Sequence, residues 1–217
     1  REAARFPALR ASDPESILAH KPDLVLVASF TRAETRLLLQ RARVPLLCFD
    51  RMESFQDLCE DARRLGAALG HPDRAEALIR QWRQREQALR ARLAGVRPTR
   101  VLAAAVYPFT AGRNTSFQDL CDHAGAVNRA AEAGIDGHQP TPGEKVLTWN
   151  VEVLVASGDD GENAQSRLRE IPPYKFMPAL RQGRLVMMPG PLMAATGPHR
   201  LDAYEFLAKA LHPERFR

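Results

Sequence analysis

Six histidines (His20, His71, His123, His138, His199 and His212) and three cysteines (Cys48, Cys59 and Cys121) are the side chains of this chain best suited to acid–base, nucleophilic or metal chemistry. Their spacing supports none of these. No H-E-x-x-H run, G-x-S-x-G elbow, phosphate loop or G-x-G-x-x-G turn occurs. The cysteines match no zinc spacing, and their odd number leaves at least one thiol unpaired. Cys59 and Cys121 fall inside helical patterns and read as small buried residues. The acidic stretch "GDDGEN" (Gly158–Asn163) follows a predicted strand but lacks the glutamate that completes a calcium loop, so it reads as a solvated turn. No catalytic residue, no intrinsic cofactor and no resident metal are expected.

Basic charge is the other chemical resource. Of 31 Lys+Arg, 27 are arginine, within a net charge of +5. Arginine forks match carboxylates and phosphates, but here they are spread along the chain and alternate with acids. A nucleic-acid binder needs a basic stripe with interleaved aromatics; none is present, so no nucleic-acid partner is expected. Hydrophobic residues at 45% and charged residues at 26% describe a globular chain able to bury a core. No run of eighteen apolar residues exists to span a membrane. The opening Arg1-Glu2-Ala3-Ala4-Arg5 is not a signal peptide, so any export signal is expected to have been removed or to lie upstream.

The elements that would position these groups alternate between helix and strand. A short helix from Glu15 breaks at Pro22-Asp23 and leads into "LVLVAS" (Leu24–Ser29), a continuous apolar run expected of a buried parallel strand. Thr31–Arg41 reads as a helix with Leu37, Leu38 and Leu39 inward, and "VPLLCFD" (Val44–Asp50) as the next strand. The hexapeptide "SFQDLC" occurs twice, at Ser54–Cys59 and Ser116–Cys121. Each copy has capping-box spacing, with Ser54 and Ser116 as caps and Asp57 and Asp119 in the first turn. Between them Asp73–Ala94 forms one long helical pattern, roughly 33 Å at 1.5 Å per residue, ended by Gly95 and Pro98. Then follow a strand (Arg100–Tyr107), a loop ("PFTAGRN"), a helix from Ser116, a short helix (Thr141–Trp149), strands at Val151–Ser157 and Gly183–Pro189, and a closing helix (Leu201–Leu211). This alternation predicts an α/β fold with mainly parallel sheets.

A repeat sharpens that prediction. "ESILAHKPDLVLVAS" (Glu15–Ser29) lies over "EKVLTWNVEVLVASG" (Glu144–Gly158) without a gap at a shift of 144 − 15 = 129. Glu15 falls on Glu144, Leu18 on Leu147 and Asp23 on Glu152, and the two apolar runs coincide. Each unit is a glutamate at a helix start, a turn or two of helix, a break and a strand. The repeat implies two similar α/β lobes joined by one long rigid helix: an amino-terminal lobe over 1–72, the connecting helix over 73–97 and a carboxy-terminal lobe over 98–217. A ligand would occupy the crevice between them, beyond the carboxyl ends of the strands.

In order along the chain, "PESILAHKPDLVLVA", "VPLLCFD", "LGAALGHPDRAEALI", "YPFTAGRNTSFQDLCDHAGAVNRA", "PGEKVLTW" and "MPALRQGRLVMMP" make the sequence resemble the substrate-binding protein of an ABC importer. The class is the one with a rigid helical spine that serves cobalamin, ferric siderophores and heme. The resemblance implies a periplasmic or otherwise extracytoplasmic protein, lipid-anchored in some members, that is a monomer and delivers a metal chelate to a transmembrane permease. It also implies about fifty further residues at the start of the first lobe, which is therefore expected to be incomplete here.

By position the resemblance assigns permease docking to Glu15 and Glu144, one exposed carboxylate per lobe for two equivalent arginine pockets. Phe109 matches a family aromatic that packs on ligand, with Tyr107 beside it; either could stack on a corrin or catecholate. His138 stands where cobalamin binders place a tryptophan, and its imidazole could instead ligate a metal centre. Arg10 lies near an anion-binding arginine of siderophore binders. Arg113, His199 and Arg200 are expected in loops bordering the cleft, where they would neutralise an acidic ligand, and Met193 on its floor. The heme branch carries a tyrosine ahead of the first-lobe glutamate; "FPALRASDP" has none, which favours a corrinoid or ferric siderophore, although His138 or Tyr107 could substitute. An enzyme on a related two-lobed scaffold and a ligand-free structural partner are the competing readings.

Overall fold

The computed structural model describes residues 13–105, 109–158 and 164–217 of the chain. Its first part holds α1 (Pro14–Ala19), β1 (Val25–Ala28), α2 (Ala33–Arg41), β2 (Leu46–Phe49) and α3 (Phe55–Ala68), followed by the long helix α4 (Pro72–Arg92). The second part runs β3 (Thr99–Ala104), β4 (Phe109–Ala111), α5 (Ser116–His123), β5 (Ala126–Asn128), α6 (Arg129–Glu132), β6 (His138–Pro140), a 3-10 helix (Gly143–Trp149), β7 (Val153–Ser157), α7 (Ala164–Leu168), α8 (Pro178–Arg181), β8 (Leu185–Met188), α9 (Gly190–Met193) and α10 (Arg200–Leu211). β1 and β2 pair in parallel, and β5-β3-β7-β8 form a four-stranded parallel sheet. Mixed α/β structure with parallel sheets is what the alternating pattern predicts.

Side-chain alternation divides the large sheet between two apolar layers. Val101, Ala103 and Val155 face α4, α5 and α10 in one cluster; Leu102, Ala104, Leu154 and Ala156 face Val146 and Trp149 of the 3-10 helix and Leu180 of α8 in the other. Burial on both faces explains why "VLVA" (Val153–Ala156) is continuously apolar. The shift of 129 also survives: β1, 25–28, maps onto 154–157, inside β7. Its counterpart in the first lobe is less covered, with Val27 buried but Leu26 49% exposed, so the expectation of a fully buried strand fails there.

Helix α4 begins at Pro72, whose fixed φ suits a first helical turn, and carries Ala75, Ile79, Trp82 and Leu89 on its buried face. It crosses α3 where Gly66 meets Ala75. A Cβ on Gly66 would lie 2.5 Å from that of Ala75, so the crossing requires glycine. In α2 only Leu39 of the leucine triplet is buried, while Leu37 and Leu38 are 47% and 39% exposed. Three consecutive helical residues fan through about 200°, too wide for one buried stripe. The short helix expected at Thr141–Trp149 is a 3-10 helix over Gly143–Trp149, capped by Asn150 in the left-handed region. Among the described residues no helix is long and apolar enough to cross a membrane.

Candidate functional site

The segment "PFTAGRN", expected to be a loop, contains β4, which pairs antiparallel with β6. Phe109 lies opposite Pro140, Thr110 opposite Gln139 and Ala111 opposite His138. Alternation turns Thr110 inward, where it is buried and its hydroxyl donates to the Ala103 carbonyl of β3 at 3.4 Å. Phe109 and His138 therefore share the other face, diagonal to each other, a relation that places Cβ atoms about 7–8 Å apart. Both are exposed, Phe109 at 50%. Ala111, opposite His138 on that face, is buried in the core, but an exposed aromatic and an exposed imidazole can stack on a planar ligand and offer a nitrogen to its metal.

The ribbon is fixed from below and at its end. Asn128 Nδ2 donates to the Ala111 carbonyl at 2.9 Å. Gly112 approaches Ile135 so closely that a Cβ would lie 2.1 Å from the Ile135 carbonyl oxygen. The Arg113 N–H donates to that carbonyl, and the Gly137 N–H donates to the Arg113 carbonyl. Arg113 is thus held two residues beyond the ribbon, with its side chain exposed. The buried hydroxyl of Tyr174 accepts from the Ala105 N–H at 3.5 Å and lies 3.4 Å from Thr141 Oγ1, joining the carboxyl end of β3 to the residue after β6.

The structure thereby places Phe109 and His138 on the ribbon, with Arg113 beyond its end, where the Arg113 guanidinium lies beside Gly134. It places the other expected residues elsewhere. Met193 ends α9, half-buried against the α4–α10 core. His199 precedes α10 and its Nδ1 pairs with Asp202 Oδ2 at 2.9 Å, in a network that includes Arg85 of α4. Arg85 first, then His199, holds the Asp202 carboxyl below its ordinary range. Arg200 does not border the cleft in a loop: it is the first residue of α10 and 2% exposed. Arg10 and Tyr107 lie outside the described residues. Phe30, not among the expected ligand-binding residues, is 82% exposed two residues beyond β1. Its signal was available, since ligands in open α/β sheets bind beyond the carboxyl ends of the strands.

Glu15 stands in the first turn of α1, whose N-cap Asp13 accepts the Ser16 N–H, and Glu144 is the second residue of the 3-10 helix. Both are exposed, and among the described residues neither forms an ion pair. No cluster of three or more His, Cys, Asp or Glu side chains able to hold a metal occurs among the described residues.

The family model described as periplasmic binding protein matches residues 3–192, so the chain belongs to that family, the substrate-binding proteins of ABC importers. No curated protein matches the chain significantly. Among solved structures, it is similar to the periplasmic heme-binding protein RhuT from Roseiflexus sp. RS-1, with 27% identity, TM-score 0.83, 94% of this chain and 80% of that one covered. A periplasmic heme binding protein from Pseudomonas aeruginosa shares 25% identity at TM-score 0.79, covering 92% and 75%. The molybdate periplasmic binding protein MolA of Haemophilus influenzae shares the fold at 23% identity and TM-score 0.74, covering 93% and 69%. The two-lobed binding-protein fold follows from these matches, and the family consists of solute carriers, not enzymes.

Proposed function

We propose that this binding protein carries a planar metal chelate, heme in first place, to an ABC permease outside the cytoplasm. The observation that carries the proposal is the shared exposed face of Phe109 and His138 on the β4–β6 ribbon. Phe109 would stack on the macrocycle, His138 would supply an axial nitrogen to iron, and Arg113 would meet a propionate. The absence of a tyrosine ahead of Glu15 argues for a corrinoid or ferric siderophore. Heme outweighs it, because two similar structures at 25% and 27% identity are heme-binding proteins and an imidazole can stand in for the missing phenolate.

Titration of the protein with hemin, cyanocobalamin and a set of ferric siderophores, followed by visible absorbance and tryptophan quenching, tests this reading. Saturable binding of hemin with a shifted Soret band is expected. His138→Ala should alter that band and weaken binding about tenfold, roughly 1.4 kcal/mol. Saturation by cyanocobalamin or a siderophore, with hemin inert, would replace heme by that cargo.

A further inference from the structure

A buried charged cluster joins the two halves of the molecule away from the ribbon. Arg200 of α10, 2% exposed, donates through Nη1 to Asp119 Oδ2 at 2.8 Å and to the Glu53 carbonyl at 2.7 Å, and through Nη2 to the Met52 carbonyl. Asp119 of α5 also accepts the Phe55 N–H at 3.0 Å on Oδ1 and the Tyr204 hydroxyl on Oδ2. Tyr204 stacks on His123 with ring centroids 4.3 Å apart. Burial first, then the Asp119 charge, pushes the Tyr204 phenol well above its ordinary value, so it remains a donor.

Residues 52–55 lie beyond the carboxyl end of β2, on the rim where a parallel α/β lobe faces its ligand crevice. The bonds of Arg200 and Tyr204 cross from that rim, or from α5, to α10, and the bond from the Phe55 N–H to Asp119 joins the rim to α5. We infer that Arg200 and Asp119 are positioning residues: they fasten the rim segment 52–55 to the carboxy-terminal half, so that the spacing of the lobes is set by this tie as well as by α4. The consequence for ligand release rests on the reading that cargo lies between the lobes; the tie itself does not. A fully desolvated arginine fork on two carbonyls and a carboxylate has one geometry, which a lysine cannot reproduce.

The test uses the full chain as Arg200→Lys, Asp119→Asn and Tyr204→Phe. Amide hydrogen exchange at Phe55 should accelerate about tenfold or more in the first two, with Leu102 and Leu154 of the large sheet within about twofold of the parent. Nitroxide pairs at Gln40→Cys and Gln182→Cys, both exposed positions, in a Cys48→Ser background, should give a distance distribution broadened at least about 1.5-fold in the ligand-free variants. Hemin dissociation should then quicken about tenfold, with association changed less than about threefold. Tyr204→Phe removes one bond and leaves the fork, so it should move each readout less in the same direction; it also carries the test where Asp119→Asn does not fold. Unchanged Phe55 exchange would remove the tie. A parental distance distribution despite faster exchange would overturn its control of lobe spacing. Failure of the parent protein to bind hemin would retire the heme reading alone, because the exchange and distance results decide this one without ligand.

Discussion

The two copies of "SFQDLC" have the same six residues and do different work. In the first, Ser54 caps α3: its hydroxyl accepts the Asp57 N–H at 3.1 Å, and Asp57 accepts the Ser54 N–H at 2.9 Å, a closed capping box. In the second, the cap moves back to Thr115, which is buried, donates to the Gly112 carbonyl at 2.8 Å and accepts the Gln118 N–H at 3.2 Å. Ser116 therefore does not cap, contrary to the capping-box spacing, and Asp119 falls outside the box. Its carboxylate is released to take the Phe55 N–H at the start of the first copy's helix, together with Arg200 and Tyr204. One residue upstream, Glu53 in one case and Thr115 in the other, decides whether an aspartate closes a local loop or joins two halves of the molecule.

The largest test of that contrast is Asp119→Ala against Asp57→Ala. Removing Asp119 strands the buried Arg200 charge, a loss of about 3–5 kcal/mol, whereas removing Asp57 forfeits a cap, about 1 kcal/mol. Equal losses in denaturant unfolding would erase the distinction. The 129-residue repeat offers a second pair, Glu152 and Asp23. Glu152 binds Arg97 Nη2 at 2.6 Å and the Arg100 N–H at 2.9 Å, and these contacts, Arg97 foremost, lower its pKa from 4.5 to about 2. A carboxyl depressed on folding contributes its stability above the unfolded value; that contribution is lost as pH falls from about 4.5 towards 2. Because Arg97 is 70% exposed, we expect about 2 kcal/mol rather than the full shift. Glu152→Gln should flatten the acid limb of a stability–pH curve, whereas Asp23→Asn, at an exposed position, should move stability at neutral pH by no more than about 0.5 kcal/mol.

The caps give a smaller contrast. Ser54→Ala should cost about 1 kcal/mol and Thr115→Ala about 1–2 kcal/mol, while Ser116→Ala should stay within about 0.5 kcal/mol. Thermal unfolding of the three variants ranks them, and a Ser116 effect equal to that of Ser54 would restore the symmetric reading. The smallest expected effect on the protein itself is that of Glu15→Ala with Glu144→Ala. Stability should move within about 0.5 kcal/mol and hemin affinity should hold, yet permease-dependent uptake should fall about tenfold or more. Normal uptake by the double variant would remove the docking role from both glutamates.

Much of the fold was legible because its signals are local. Apolar runs bounded by Gly, Pro and Asp marked β7 and β8, and the 3.6-residue pattern marked α4 within two residues of its ends. The strand β4 was not legible. Three residues long, it is extended only because β6 pairs with it from 27 residues downstream and because Gly112 lets the backbones meet. The same pairing placed Phe109 and His138 on one ribbon, which their spacing in sequence did not reveal. Arg200 was misplaced for a related reason. A charged residue at a helix start reads as exposed unless its partners are known, and here those partners lie 81 to 148 residues away.

By itself the sequence determined the alternation of helix and strand, the repeated glutamate–helix–strand unit and the family, since these depend on periodicity, on breakers and on the order of short motifs. Tertiary structure alone decided which leucines of α2 are covered, that β4 exists, and that one of two identical aspartates binds a buried arginine. Such outcomes depend on which distant group arrives to satisfy a hydrogen bond or exclude water, and no window of neighbouring residues contains that information.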